Sequence, residues 1–446
     1  MFISEINSTE IEDRIDAPFY QDRYLKPLRK IKRNIPIVSM SELIESATNG
    51  VEIRNYVSHG TPYLRVSDMK DTFVTLSDVK FIRQNIRSIN KKVLLDKNQD
   101  ILISRSGNVG LASIVSSDIE NAVISSHIIK VRVNDKIEPA YLVAYFNSLL
   151  GKLQVERVTN GFIVTEINHP SLNLIKVALP PFQKEIANLI KKAEQKHIEA
   201  KNRIDKAKQI LISTLEVQLH KIRERKEYFI SSLDLKDMFT PKFYYPLYVN
   251  TVKDVEKKFR TVLLGEISKI TKGNEVGSKN YRSYLEKEDT DVPFIRTSDI
   301  VNNEIDNYPD FYIPENIYNE LKQNIRPGDI LFTNDGKIGL SAMLVESDIC
   351  IIQSHIRRIR VERDLSPYYV FAFLNTDFAL YQVYQRRLIQ ATIPTIGNGL
   401  EEIKIPIISE NKQKEISQLV REAFELKRQK KELIKKAKEK IEEIFK

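Results

Sequence analysis

The sequence predicts an α+β chain. It is expected to hold two copies of one mixed α/β globule, each followed by a long helix, with the two helices packed as an antiparallel coiled coil. Two observations carry this. The chain repeats itself. Each copy also closes on a long stretch free of Gly and Pro, whose apolar positions recur every seventh residue. The order of the parts adds a third point. Because each rod follows its own globule, laying the rods side by side runs them antiparallel and relates the globules by a pseudo-twofold axis.

The repeat is legible block by block. Pro62-Tyr63-Leu64-Arg65-Val66-Ser67-Asp68-Met69 returns as Pro293-Phe294-Ile295-Arg296-Thr297-Ser298-Asp299-Ile300, a spacing of 231. Asp100-Ile101-Leu102-Ile103-Ser104 leads to Gly107, Gly110 and Leu111, and Asp329-Ile330-Leu331-Phe332-Thr333 leads to Gly336, Gly339 and Leu340. Ser126-His127-Ile128 answers to Ser354-His355-Ile356 at a spacing of 228. Pro139 opens a helical stretch to Asn147, and Pro367 opens its twin to Asn375. A fainter echo joins Arg14-Ile15-Asp16-Ala17-Pro18-Phe19-Tyr20 to Phe239-Thr240-Pro241-Lys242-Phe243-Tyr244. Within a copy, the β-rich runs 101–104, 111–115 and 123–133 are bounded by Gly, Asn, Asp and Ser. A helix over 139–150 and a loop and strand over 157–179 precede the rod.

The first rod opens Gln183-Lys184-Glu185-Ile186 and carries Ile186, Ile190, Ala193, Ala200, Ile204, Ala207 and Leu211 on one seam. The second opens Gln413-Lys414-Glu415-Ile416, with Ile416, Val420, Ala423, Ile434, Ala437, Ile441 and Ile444. His197 and Lys427, and Ala200 with Lys430, interrupt the seam midway. Polar groups at seam positions commonly fix register. The parts divide as 1–180 for the first globule, 181–220 for the first rod, 221–408 for the second globule and 409–446 for the second rod.

Composition narrows the function classes. A formal net charge of +9 and a pI near 9.1 point to a polyanionic partner. The single cysteine, Cys350, rules out an internal disulfide framework and a cysteine-cluster metal site. No apolar run approaches the ~20 residues of a membrane span, and the opening residues have no basic start followed by an apolar signal core. A cytoplasmic setting is the expectation. No phosphate-binding glycine loop, dinucleotide fingerprint or methyltransferase adenine-gripping motif is present. Gly273-Asn274-Glu275-Val276-Gly277-Ser278-Lys279 has the wrong spacing for a P-loop. No catalytic constellation emerges.

The candidate binding residues lie where the copies keep a scaffold and change its tips. In Ser104–Gly110 and Thr333–Gly339, a hairpin turn alone accounts for the glycines. Arg105 and Asn108 stand where the other copy has Asn334 and Lys337. Arg and Lys reach guanine O6 and N7, and Asn reaches adenine N6 and N7, so constant glycines under changing polar residues suit a recognition loop. Arg65 and Arg296 offer phosphate contacts or, equally, internal ion pairs with Asp68 and Asp299. Arg157, Asn160 and Thr165, with Arg386, Arg387, Gln390 and Thr392 in the other copy, are expected in polar loops after a helix. His127 and His355 are read as structural hydrogen-bonding groups.

The order of these blocks, repeated twice together with the rods, resembles the specificity subunit of type I restriction–modification systems over essentially the whole chain. The repeated Asp-Ile-Leu-Ile/Phe-Ser/Thr…Gly…Gly-Leu block resembles that family's target-recognition domain, and the Gln-Lys-Glu-Ile entries resemble the start of its conserved long helices. The Arg14–Tyr20 stretch departs from the shortest members. The resemblance implies a non-catalytic chain whose two target-recognition domains each read half of a split double-stranded DNA sequence. It implies two adenine-N6 methyltransferase subunits docked on the rods and restriction–translocase subunits beyond them. S-adenosylmethionine, ATP and Mg would belong to those partners, with no cofactor or metal on this chain. A rod of ~30 residues at about 1.5 Å per residue is roughly 45 Å long, a little over the ~34–36 Å of one DNA turn. The rival reading is a coiled-coil scaffold with two protein-binding globules.

Overall fold

The computed structural model describes residues 6, 11, 14–70, 72–74, 76, 79–83, 93–95, 100–117, 119, 121–159, 166–216, 227–235, 240–275, 291–306, 309–390 and 393–446. The chain forms two compact units, one from Met1–Ile198 with Gln429–Lys446, the other from Glu199–Arg428. Each therefore contains one globule and half of each long helix.

In the first unit a six-stranded sheet runs in the order Ile44–Asn49, Ile128–Val133, Ile101–Ser104, Ala112–Ile114, Phe73–Val74, Met69–Lys70. The strand Ile101–Ser104 is buried throughout. Its side chains alternate between faces, as the two-residue period of a strand requires. Ile101 and Ile103 enter the core that holds the long helices, while Leu102 enters a second core on the other face. The helix Pro139–Asn147 covers the first face and is buried from Ala140 to Asn147. Its polar groups find partners there. The Tyr141 hydroxyl donates to the Ala178 carbonyl at 2.6 Å. Asn147 exchanges two hydrogen bonds with the backbone of Ala112, at 3.0 and 2.8 Å.

The second unit repeats the plan. Its four-stranded sheet has the order Ser268–Lys272, Ile356–Val361, Ile330–Thr333, Ser341–Met343. Ile330 and Phe332 face the core of the long helices, and Leu331 faces the other. The Tyr369 hydroxyl donates to the Pro406 carbonyl at 2.7 Å. Each unit also has a small three-stranded sheet that pairs two strands in parallel. Thr61–Leu64 lies beside Val123–Ile124, and Val292–Ile295 lies beside Ile351–Ile352.

The echo between Ala17–Tyr20 and Pro241–Tyr244 is a real element. Both segments form short 3-10 turns whose Phe-Tyr pairs are buried. Phe19 accepts from Arg157 Nε at 3.2 Å through its carbonyl, and Phe243 accepts from Gln385 Nε2 at 2.8 Å in the same way.

The long helices span Gln183–Leu215 and Glu410–Glu442. In the first unit the opening half of one packs against the closing end of the other. Ile186, Ile190 and Ala193 share a core with Ile434, Ala437, Ile441 and Ile444, and Lys440 pairs with Glu185 at 2.8 Å. In the second unit Ala200, Ile204, Ala207 and Leu211 share a core with Ile416, Val420 and Ala423, and Arg203 pairs with Glu422. Within each unit the packing is antiparallel.

The polar interruptions of the seam reach their own globule. His197 stacks on Phe73, with ring centroids 5.4 Å apart and planes inclined by 18°. Lys427 is 3% exposed; its Nζ donates to the Asn302 carbonyl at 2.5 Å and pairs with Glu304 at 3.4 Å. Phe73 and Glu304 occupy corresponding places in the repeat, just after turns where Thr72 and Asn303 take positive φ. One position thus carries an aromatic stack in one copy and a buried ion pair in the other.

Candidate nucleic-acid interface

The hairpin between Ile101–Ser104 and Ala112–Ile114 is closed from within. Ser104 Oγ accepts from the Leu111 N–H at 2.9 Å and donates to the Asn108 carbonyl. Gly107 and Gly110 take φ of +78° and +80°, a region an L side chain enters only under strain. A Cβ on Gly110 would lie 2.5 Å from Val155 Cγ1. Glycine is required there both for the turn and for the approach of the helix Leu149–Thr159. The second copy keeps this logic. Thr333 Oγ1 accepts from the Leu340 N–H at 2.8 Å, and Gly339 at +95° would bring a Cβ to 2.9 Å from Leu380.

Four further segments gather at the hairpin tip of the first unit. Arg105 pairs with Glu166 at 2.7 Å, and the Ile167 N–H donates to the Arg105 carbonyl at 2.9 Å. His127 Nδ1 lies 2.8 Å from Ser106 Oγ. Ser126 donates to Glu52 at 2.7 Å, and Glu52 pairs with Arg54 at 3.0 Å. The strand leading to Arg65 joins the same turn, because the Ser125 N–H donates to the Leu64 carbonyl at 2.8 Å. Arg65 itself pairs with buried Asp68 at 3.3 Å. Asn108 is exposed at the tip.

The second unit assembles the equivalent place around a different group, Asp335. Thr395 donates to it, His355 Nδ1 lies 3.1 Å from it and Asn334 Nδ2 donates to it at 3.2 Å. Burial disfavours its charged form. The three hydrogen bonds, with the Arg357 charge, outweigh that and hold its carboxyl below the usual carboxylate range. The hairpin Leu388–Gln390/Ile393–Thr395 is clamped to the tip, with the Gly336 N–H donating to the Pro394 carbonyl at 2.8 Å and the Ile396 N–H to the Asn334 carbonyl at 3.2 Å. Ser354 donates to Glu275 at 2.9 Å, the counterpart of Ser126 and Glu52. Lys337 is exposed at the tip.

The structure thus brings together two groups of residues far apart in sequence: the hairpin tips and the segments after the following helix. It moves other candidates away from the surface. Arg157 lies inside the helix Leu149–Thr159 rather than in a loop. It is 1% exposed, with its guanidinium 3.9 Å from the Phe19 ring centroid. Asn334 is fully buried, and its Oδ1 has no hydrogen-bond partner among the described residues. Arg296 pairs with Asp299 and, at 2.8 Å, with Asp310, and covers the Phe311 ring. Arg386 caps a helix and pairs with Glu402 at 3.3 Å. Arg387 is half-buried. Asn160, Thr165 and Thr392 lie outside the described residues, as does the side chain of Gln390. Sequence reasoning missed Glu52, Glu166, Glu275, Asp335 and Thr395. Ser126 and Ser354 were visible in the repeat, but their carboxylate partners sit at a different spacing. His127 and His355 make the hydrogen bonds expected of them. Among the described residues no His, Cys, Asp or Glu cluster could hold a metal ion, and no helix is long and apolar enough to cross a membrane.

Each unit thus presents a glycine hairpin with a second polar segment set against its tip, and the two copies bear different tip residues. Comparison with known families places this duplicated module. Residues 36–209 and 256–443 each match the type I restriction modification DNA specificity domain. The chain therefore belongs to the type I restriction–modification DNA specificity family, as a specificity subunit and not as one of its enzymes. The chain is 20% identical over 444 residues to the type I restriction enzyme MjaVIII specificity subunit of Methanocaldococcus jannaschii, covering 95% of each chain. It is 23% identical over 451 residues to the putative MjaX specificity subunit of the same organism, covering 95% of this chain and 96% of that one. Among solved structures, the S subunit from M. genitalium is matched over 93% of this chain and 98% of that one, at 13% identity and a TM-score of 0.36. The HsdS subunit from Thermoanaerobacter tengcongensis is matched over 93% and 97%, at 15% identity and a TM-score of 0.30.

Proposed function

We propose that this chain is the sequence-reading subunit of a cytoplasmic restriction–modification complex. Residues 1–180 and 221–408 act as its two target-recognition domains. Each reads one half of a bipartite duplex target through its hairpin tip and the segment clamped against it. The chain recruits adenine-N6 methyltransferase subunits along the long helices and, through the assembled complex, restriction subunits. S-adenosylmethionine, ATP and Mg belong to those partners. The observation that carries this reading is one scaffold built twice under different polar tips. Arg105, Ser106, Asn108 and Glu166 stand at one tip; Lys337 stands exposed at the other, beside Asp335, which buried Thr395 holds from below. Base edges are told apart by the donors and acceptors set against them, so two different tips on one frame suit two different half-sequences.

The test is genome-wide mapping of methyladenine in the host, with the gene intact, deleted, or carrying Arg105→Ala with Asn108→Ala. Deletion should erase a split motif. The double variant should relax or lose one half of that motif and spare the other, since a base contact is worth about 1–3 kcal/mol of discrimination. An unchanged pattern on deletion, with the methyltransferase expressed, sinks the reading and favours a protein-binding scaffold. Equal loss at both halves sinks the assignment of these two residues.

A further inference from the structure

Beside their differing hairpin tips the two units keep one constellation alike. Ser126 and Ser354 donate to the carboxylates of Glu52 and Glu275, at 2.7 and 2.9 Å. The segments carrying those carboxylates are held at the turn by parallel bridges, Val51 to Ser125 and Asn274 to Gln353. The next residue of each turn is a histidine. The His127 carbonyl accepts from the Arg105 N–H at 2.8 Å, and the His355 carbonyl from the Asn334 N–H at 2.9 Å. Each ring turns Nδ1 inward to the second residue of its tip, His127 to Ser106 Oγ at 2.8 Å and His355 to Asp335 Oδ2 at 3.1 Å. With Nδ1 so engaged, Nε2 is the ring's other polar atom. Both rings reach solvent: His127 is exposed, and His355 leaves 37% of its side chain exposed.

What the copies hold constant is the imidazole and not its inner partner, which is a hydroxyl in one unit and a carboxylate in the other. The tip residues around it change as well, from Arg105 and Asn108 to Asn334 and Lys337. A side chain kept under two tips that read different half-sequences adds nothing to the difference between them. It suits what the two halves share, the phosphodiester backbone, whose contacts set register and orientation without carrying sequence. The chemistry permits this in both units. A hydroxyl donates as well as accepts, so Ser106 donating to Nδ1 leaves His127 with an Nε2–H. A carboxylate only accepts, so His355 keeps its Nδ1–H on Asp335 and donates from Nε2 as the imidazolium. The acidic groups nearby are occupied: Glu52 pairs with Arg54 at 3.0 Å, and Asp335 accepts from Thr395 and Asn334.

We propose that His127 and His355 each donate from Nε2 to a phosphate of the DNA backbone, one in each half of the target, and so seat each tip on its half-site. The proposal rests on the DNA-reading function proposed above. It is tested with the full chain co-purified with its methyltransferase subunit, by fluorescence anisotropy at low salt on two duplexes, one carrying the methylated motif and one lacking it. Two exchanges separate the nitrogens of the ring. Asparagine places its amide near Nδ1 and keeps the inner hydrogen bond, whereas glutamine places its amide near Nε2. His127→Asn and His355→Asn should each weaken binding about tenfold, alike on both duplexes, because a hydrogen bond to a charged group is lost. His127→Gln and His355→Gln should retain most of the parental affinity. Asparagine variants that bind like the parent, or glutamine variants that lose more than the asparagine ones, overturn the proposal and leave the histidines as braces of the tips. So does a loss confined to the duplex with the motif, which would mark a base contact. Should an asparagine variant fail to fold, the parent is assayed on duplexes with a single uncharged methylphosphonate moved along each half-site. One position in each half should then weaken binding, and a half-site with no sensitive position overturns the contact there. If the parent complex binds neither duplex, the DNA-reading function itself fails; if it binds and the asparagine variants match it, this contact alone fails.

Discussion

Asp335 shows how much of a recognition tip is scaffolding. Three side chains from separate segments donate to or face this one carboxylate, so its charge joins the hairpin tip to the hairpin that follows the second unit's helices. Its folded pKa lies below the ordinary 3.8, so the unfolded chain binds its proton more readily than the folded one. The stabilisation is therefore complete above about pH 4 and disappears as pH falls through the ordinary value toward the folded one. Asp335→Asn should cost about 1 kcal/mol at pH 7, the order expected for charge-assisted hydrogen bonds at a partly exposed site. It should also flatten the acid limb of stability below pH 4. Urea midpoints at pH 3 and pH 7 give the answer: an Asn variant whose midpoint falls as steeply toward pH 3 as the parent's would remove Asp335 as the source. In the first copy Ser106 stands in place of Asp335, with His127 Nδ1 2.8 Å from its hydroxyl.

At the scale of elements, what could be read in advance followed from period and chain order. The buried strands Ile101–Ser104 and Ile330–Thr333 announce themselves as apolar runs between turn residues, and the seven-residue seam gives the long helices. Phe19 was harder: its burial rests on a four-residue turn with no period of its own, and on Arg157, which sits in a helix but reads as a polar surface residue. The carboxylates Glu166 and Asp335 were illegible for a related reason. Their roles come from contacts between segments tens of residues apart, and the two copies solve them with different residues. His197 and Lys427 fall between these cases. Each was visible as a polar break in the seam, but the partners Phe73 and Glu304 were not. Removing one member of a buried ion pair leaves an uncompensated charge, at a cost of about 3–5 kcal/mol. Glu304→Ala or Lys427→Ala should each show a loss of that order in thermal unfolding. Glu304→Phe combined with Lys427→His imports the pair the other copy uses at this position, and should be markedly less destabilising than the sum of its two single exchanges. Additive losses would mean that the two positions are not interchangeable solutions to one packing problem.

The molecule as a whole is divided in space differently from the way it is divided in sequence. The first unit is completed by the last eighteen residues, Gln429–Lys446, while the second is one continuous run from Glu199 to Arg428. Damage at the C-terminus should therefore appear in the N-terminal globule. Ile434, Ile441, Ile444 and Phe445 are buried in the first unit's core beside Ile186 and Ile190. At about 1.5–3 kcal/mol for each large apolar side chain, losing the four removes roughly 6–12 kcal/mol. That matches the entire net stability of an ordinary domain, about 5–15 kcal/mol. A chain ending at Arg428 should consequently lose amide protection across the strands Ile101–Ser104 and Ile128–Val133. The strands Ile330–Thr333 and Ile356–Val361, whose core is assembled from residues within 199–428, should stay protected. Hydrogen exchange read by mass spectrometry distinguishes the outcomes. Loss confined to the second globule, or uniform loss in both, would contradict the division. Loss confined to the first would show that a unit lying almost entirely at the start of the chain depends for its folding on the end.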